Sequence, residues 1–169
     1  RRFLKALQSG HKPKRWLLKD PSHLGNLDEI LSIYPDACFI HIHRDPAETI
    51  PSICSLTSQV RKGFTDSVDP NELGKRTLDF WENSKKRNEA QKKNLNSDQY
   101  MDINYEDFIK NPLQTIEDIY ANFTFSFDKN NKELLESYIE KSVKTHKEKH
   151  IYTLEEYGLN KKEVHNRLK

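Results

Sequence analysis

Residues 37–43, Ala-Cys-Phe-Ile-His-Ile-His, form a short apolar-dominated run that Arg44-Asp45-Pro46 cuts off. Proline has no backbone N–H and a fixed φ, so the run cannot continue as a paired strand past Pro46, whereas the first turn of a helix accepts that residue readily. A strand passing through a charged turn directly into a helix is the feature that most constrains the fold. The helix after Pro46 is expected to turn Ile50, Ile53, Cys54 and Leu56 inward, with a local irregularity at Pro51, which is tolerable only near the helix start.

The flanking sequence repeats the alternation. Arg1 to Gln8 reads as the end of a helix closed by Ser9-Gly10. Arg15-Trp16-Leu17-Leu18-Lys19 is predicted as a buried strand stopped by Asp20-Pro21, and Leu24, Leu27, Ile30 and Leu31 as a helix closing at Tyr34-Pro35-Asp36. Strand, helix and strand in succession imply a right-handed crossover and a parallel sheet, with ligands expected at the C-terminal strand ends. Beyond Asp69-Pro70 a long charged helix is expected to about Asn94. Its sparse apolar positions are Leu73, Leu78, Phe80, Trp81 and Ala90, and Lys85 to Lys93 reads as solvated surface. Gln99 to Asn104 alternates as a third strand, and Tyr105-Glu106-Asp107-Phe108 leads into a helix holding Ile116, Ile119, Tyr120 and Phe123. A helix around Lys132 to Val143, a basic stretch Lys144 to His150 and a polar terminal helix complete an α/β chain.

Composition narrows the function classes. At 169 residues one domain is expected. With 28 basic and 26 acidic side chains the net charge is +2, too balanced to announce a nucleic-acid or anionic-membrane partner, so any anion site is local. Cys38 and Cys54 match no zinc-ligand or disulfide framework, and both read as buried thiols. No apolar run approaches the roughly 20 residues that span a bilayer, and cytoplasm is the default location. The chain opens on Arg1-Arg2-Phe3 without an initiator Met and is 32% charged, so its natural N-terminus is expected upstream.

Arg44 and Ser52, eight positions apart, bring a guanidinium and a hydroxyl to a strand end beside a helix N-terminus, which suits a phosphate. His41 and His43 alternate on one strand as a conceivable metal pair. With no carboxylate or Cys partner apparent nearby, a metal site is rejected, and none is expected in this chain.

The run strand, Arg44-Asp45-Pro46, Ser52 resembles the 3′-phosphate-binding motif of PAPS-dependent sulfotransferases (PAPS, 3′-phosphoadenosine 5′-phosphosulfate), with the same Arg-to-Ser spacing. Residues 16–56 are similar throughout to the bacterial-type and marine branch of that superfamily. Tyr105-Glu106-Asp107-Phe108 resembles its Tyr-Glu-Asp segment, and Lys149-His150 with Tyr152 and residues 154–159 its C-terminal closing segment. The resemblance implies a P-loop-NTPase-like three-layer fold with a central parallel sheet, incomplete here, and a helix-rich C-terminal half. It implies sulfuryl transfer from PAPS to a small-molecule, lipid or carbohydrate acceptor, leaving PAP, with no metal. Arg44, Ser52, Tyr105, Lys149 and His150 would hold the nucleotide, and Lys19 would stabilise the transferring group. Related cytosolic enzymes carry a His two residues after this Lys, whereas Pro21 stands here. The base is therefore His23 or Asp20, and either equally suits a helix cap.

No G-x-x-x-x-G-K-[ST] motif occurs, and the five glycines are scattered singly, so the loop that holds the donor's 5′-phosphosulfate is expected upstream and the chain alone inactive. A P-loop-type kinase is disfavoured by the missing Walker residues. A PAP-binding module without catalysis is the remaining alternative.

Overall fold

The computed structural model describes residues 2–10, 15–143 and 152–169. Elements run in the order α1 (Arg2–Leu7), a 3-10 turn (Pro21–His23), α2 (Leu27–Ile33), β1 (Phe39–His43), α3 (Pro46–Lys62) and α4 (Pro70–Lys92). Then follow β2 (Tyr100–Asn104), α5 (Tyr105–Lys110), α6 (Pro112–Asn122), α7 (Lys129–Val143), a second 3-10 turn (Glu155–Tyr157) and α8 (Lys161–Leu168).

Among the described residues the sheet has two strands, β1 and β2, which pair in parallel with His41 opposite Asp102 and His43 opposite Asn104. A parallel pair requires a crossover, and here α3 and α4 supply it. Strand alternation places Phe39, His41 and His43 on one face with Tyr100, Asp102 and Asn104, and leaves Ile40, Ile42, Met101 and Ile103 on the other.

Local chemistry explains the element starts. Asp45 caps α3 by accepting a hydrogen bond from the Ala47 N–H at 2.9 Å. Asp69 caps α4 through the Asn71 and Glu72 N–H groups at 2.8 and 3.3 Å, and both helices begin with proline. Asn104 ends β2 and caps α5 through the Glu106 N–H at 2.8 Å.

The main core lies between α3, α4, the second 3-10 turn and α8. Ile50, Cys54, Leu73, Leu78, Leu154, Tyr157, Leu159 and Val164 are its buried members, with Ala47, Val68, Trp81 and Leu168 packed against them. Gly74 permits the close approach of α4 to the turn, because a Cβ there would lie 2.1 Å from the Tyr157 carbonyl oxygen.

Several sequence expectations are corrected. Residues 15–19 form no strand: they run irregularly and exposed, with Leu17 87% accessible, because the one ladder among the described residues joins β1 to β2. The first strand–helix–strand crossover is therefore not formed there, and the parallel pair arises one unit later in the chain. Pro51 lies inside α3 rather than in its first turn; its ring is fully buried, and the helix continues around the one hydrogen bond it removes. Cys38 is exposed, while Cys54 is buried. Residues 85–93 are not plain surface, since Asn88 is 1% exposed and Arg87, Gln91 and Lys92 bond to α2 and β2. The helix after Tyr105 is two helices, separated at Asn111 where Pro112 restarts the chain.

Candidate active site

Arg44 leaves the C-terminal end of β1 and sits against two partners. Its Nε and Nη2 donate to Glu48 Oε2 at 3.1 and 2.8 Å, and its guanidinium carbon lies 4.7 Å from the centre of the Tyr105 ring. Because β1 and β2 are paired in register, the residues that follow them emerge side by side. The sheet therefore brings Arg44 onto Tyr105 across a long sequence gap. Ser52 follows Glu48 by one helical turn on α3, so the carboxylate that holds Arg44 and the Ser52 hydroxyl share one side of that helix, with Ser52 half-buried.

Asp45 is fixed from outside the motif. His165 of α8 donates from Nε2 to its Oδ1 at 2.7 Å. The Ala47 N–H first and His165 second hold the Asp45 carboxyl below the usual carboxylate range. The two predicted anion ligands thus flank a helix start tied to the C-terminal helix.

On the other face of the strand ends, His43 Nε2 donates to Asp102 Oδ1 at 2.6 Å, and Lys92 bonds the second oxygen of the same carboxylate. Burial alone raises the Asp102 carboxyl, but the bonds from His43 and Lys92 outweigh it and leave the pKa lowered. Asn88 donates to the Tyr100 hydroxyl at 3.0 Å, and that hydroxyl donates to His41 Nδ1 at 3.0 Å. Burial, with His43 beside it, pushes His41 down to about 4 and leaves the imidazole neutral at physiological pH. The carboxylate that the sequence did not reveal near the two histidines is therefore present in Asp102, which overturns the ground on which a metal site there was rejected.

The remaining predicted residues lie elsewhere. Lys19 and Asp20 are exposed in an irregular segment, and Asp20 caps the first 3-10 turn by accepting from the Ser22 N–H at 2.7 Å and Oγ at 2.6 Å. The Ser22 hydroxyl first and its N–H second lower the Asp20 carboxyl, so its observed contacts are those of a cap. His23 closes that turn, half-buried. Among the described residues no hydrogen bond, ion pair or ring contact joins residues 19–23 to Arg44. Lys149 and His150 fall outside the described residues. Sequence reasoning missed Glu48, whose spacing from Arg44 is a legible signal, and also His165 and Asp102, which become neighbours only through tertiary packing and strand register.

The Sulfotransferase family matches residues 1–129. The chain belongs to this family. A solved structure of sulfotransferase STF1 from Mycobacterium tuberculosis is 30% identical over 92% of the chain and 39% of its own length, with a TM-score of 0.77. Sulfotransferase STF9 from Mycobacterium avium is similar in fold, at 23% identity over 98% of the chain and 42% of its own, with a TM-score of 0.84. Among curated proteins no relative matches. The chain thus spans about two-fifths of these sulfotransferases and carries part of their P-loop-like α/β fold. No helix among the described residues is long and apolar enough to cross a membrane.

Proposed function

We propose that the chain, as one sulfotransferase-like domain over residues 1–169, binds the nucleotide of PAPS and takes part in sulfuryl transfer to a hydroxyl or amine acceptor, releasing PAP. The observation that carries the reading is Arg44 held over the Tyr105 ring at the start of α3, the helix that also bears Ser52.

PAPS supplies an activated sulfuryl group on its 5′-phosphate. Arg44 and Ser52 bind the 3′-phosphate, Arg44 exchanging its bond to Glu48 for phosphate oxygens, and Tyr105 offers a face to the adenine. Glu48 keeps the guanidinium extended before ligand arrives and competes with the ligand for it. Lys19 neutralises charge near the transferring group, and His23 or Asp20 accepts the acceptor's proton as the new S–O bond forms and the bond to the phosphate oxygen breaks. Lys149 and His150 close over the nucleotide. The acceptor is a small hydroxylated molecule, a lipid or a carbohydrate, and the cytoplasm is the proposed location.

The test is calorimetric titration of the chain with PAP beside Arg44→Ala at one salt concentration. The expected result is micromolar binding that weakens about 10- to 100-fold in the variant, the loss of a charge-assisted pair. Equal binding by both proteins would overturn the assignment of Arg44. PAP binding together with no PAPS turnover by a longer chain that includes the donor-binding loop would make the non-catalytic PAP-binding module the better reading.

A further inference from the structure

His41, His43 and Asp102 each offer one ligand atom, and the three atoms lie within 4.8 Å of one another. His41 and His43 share a face because they are two apart on β1, and parallel pairing sets Asp102 beside His41. His43 Nε2 lies 2.6 Å and His41 Nδ1 3.7 Å from the same oxygen, Asp102 Oδ1. Two donors bound to zinc at about 2.0–2.1 Å in tetrahedral geometry stand about 3.3 Å apart. The two separations to Asp102 bracket that value and the two imidazoles lie within 4.8 Å of each other, so the three side chains close onto an ion by rotation. All three residues keep a solvent path, with His43 and Asp102 side chains 48% and 40% accessible.

We propose that His41, His43 and Asp102 form a binding site for a borderline divalent cation such as Zn²⁺, with positions left open to solvent. Two imidazoles and one carboxylate favour Zn²⁺, Co²⁺ or Ni²⁺ over Mg²⁺ or Ca²⁺, which prefer all-oxygen shells. The site is separate from the sulfuryl-transfer chemistry above and does not depend on it.

Two groups compete with the ion. Binding displaces the proton that His43 shares with Asp102 and the Tyr100 hydroxyl from His41 Nδ1. Lys92 sets an ammonium against the other Asp102 oxygen, so ion and lysine repel across one carboxylate. The site is therefore of moderate affinity in the native chain, and removal of the Lys92 charge strengthens it. A site elsewhere on the surface would not respond to that change.

The test is titration of the chelator-treated chain with ZnCl₂ by calorimetry and with CoCl₂ by visible absorption. One ion per chain at micromolar affinity, with the absorption of low-coordinate cobalt, is expected. His43→Ala removes a half-exposed side chain at little risk to folding and is expected to weaken Zn²⁺ binding at least 10-fold, whereas Lys92→Met tightens it several-fold. Zn²⁺ binding unchanged in His43→Ala, or none tighter than about 100 μM in the native chain, which lies far above the affinity a built three-ligand site supplies, would overturn the proposal.

Discussion

At the scale of single residues, Arg44 is held between a carboxylate and a ring before any ligand arrives. That arrangement separates its charge from its shape. Arg44→Lys keeps the charge but loses the planar fork and most of the stacking, so PAP affinity is expected to fall about 10-fold rather than be preserved. Tyr105→Phe retains a face and is expected to bind PAP within about twofold of the native chain. Tyr105→Leu should lose about 1 kcal/mol, close to fivefold in Kd. Calorimetry on the three variants checks the set, and a Tyr105→Leu protein that binds as well as the native one removes the ring from the site. Asp45 carries a pH dependence. Its folded pKa lies below its ordinary 3.8, held there by the Ala47 N–H, His165 and, more distantly, Lys161. A depressed carboxylate contributes stability that is complete above the unfolded pKa and is lost as pH falls through the folded one. Asp45→Asn is therefore expected to lower Tm at pH 7, where that stabilisation is complete, and to flatten the fall of Tm below about pH 4, as read by thermal denaturation across the acid range. The strand end at Arg44 and the helix start at Pro46 were legible in sequence because both are local. Asp102 and His165 were not, since their meeting with His43 and Asp45 depends on strand register and on the docking of a helix more than a hundred residues away.

Among the elements, those with punctuation were legible. Asp45-Pro46 and Asp69-Pro70 each write an N-cap and a first-turn proline, and α3 and α4 begin there. β1 was visible as an apolar run cut off by Arg44-Asp45-Pro46, and β2 from its alternation. Residues 15–19 read equally well as a strand and are not one here, because a strand is a pairing and periodicity carries no information about the partner. The polar end of α4 misled in the opposite direction: Asn88 is buried because Tyr100 satisfies it, so polarity alone did not mean surface. Gly74 on the same helix was invisible as a packing residue. Gly74→Ala gains about 1 kcal/mol of helix propensity, but its Cβ would meet the Tyr157 backbone at 2.1 Å, a contact that cannot be relieved by rotating a side chain. Overpacking of this kind costs about 1–3 kcal/mol, so the clash is expected to prevail and the variant to melt several degrees below the native chain. An equal or higher melting temperature would show that the 3-10 turn at residues 155–157 moves freely against α4.

For the whole molecule, the core joins parts of the chain that composition gave no reason to associate. α8 reads as a polar helix, yet Val164 is fully buried between α3 and α4, and Arg167 bonds Glu82 at 2.7 Å and Asp79 at 2.5 Å. Its His165 reaches the Asp45 cap beside Arg44, so one short helix both closes the core and steadies the predicted anion site. These two roles can be separated. Val164→Ala removes buried methyl groups and leaves a cavity, at a cost of about 2 kcal/mol. For a chain of this size that lowers Tm by about 4–8 °C, while PAP affinity measured well below the transition should be unchanged. His165→Ala removes a partly buried bond worth about 1 kcal/mol in stability, but it frees the start of α3 and is expected to weaken PAP binding two- to fivefold. The paired measurement is a thermal melt and a PAP titration on each variant. Opposite patterns, one protein less stable with full affinity and the other stable with reduced affinity, mean that α8 acts on the site through the Asp45 contact. Parallel losses in both would mean that α8 affects binding only by holding the fold together.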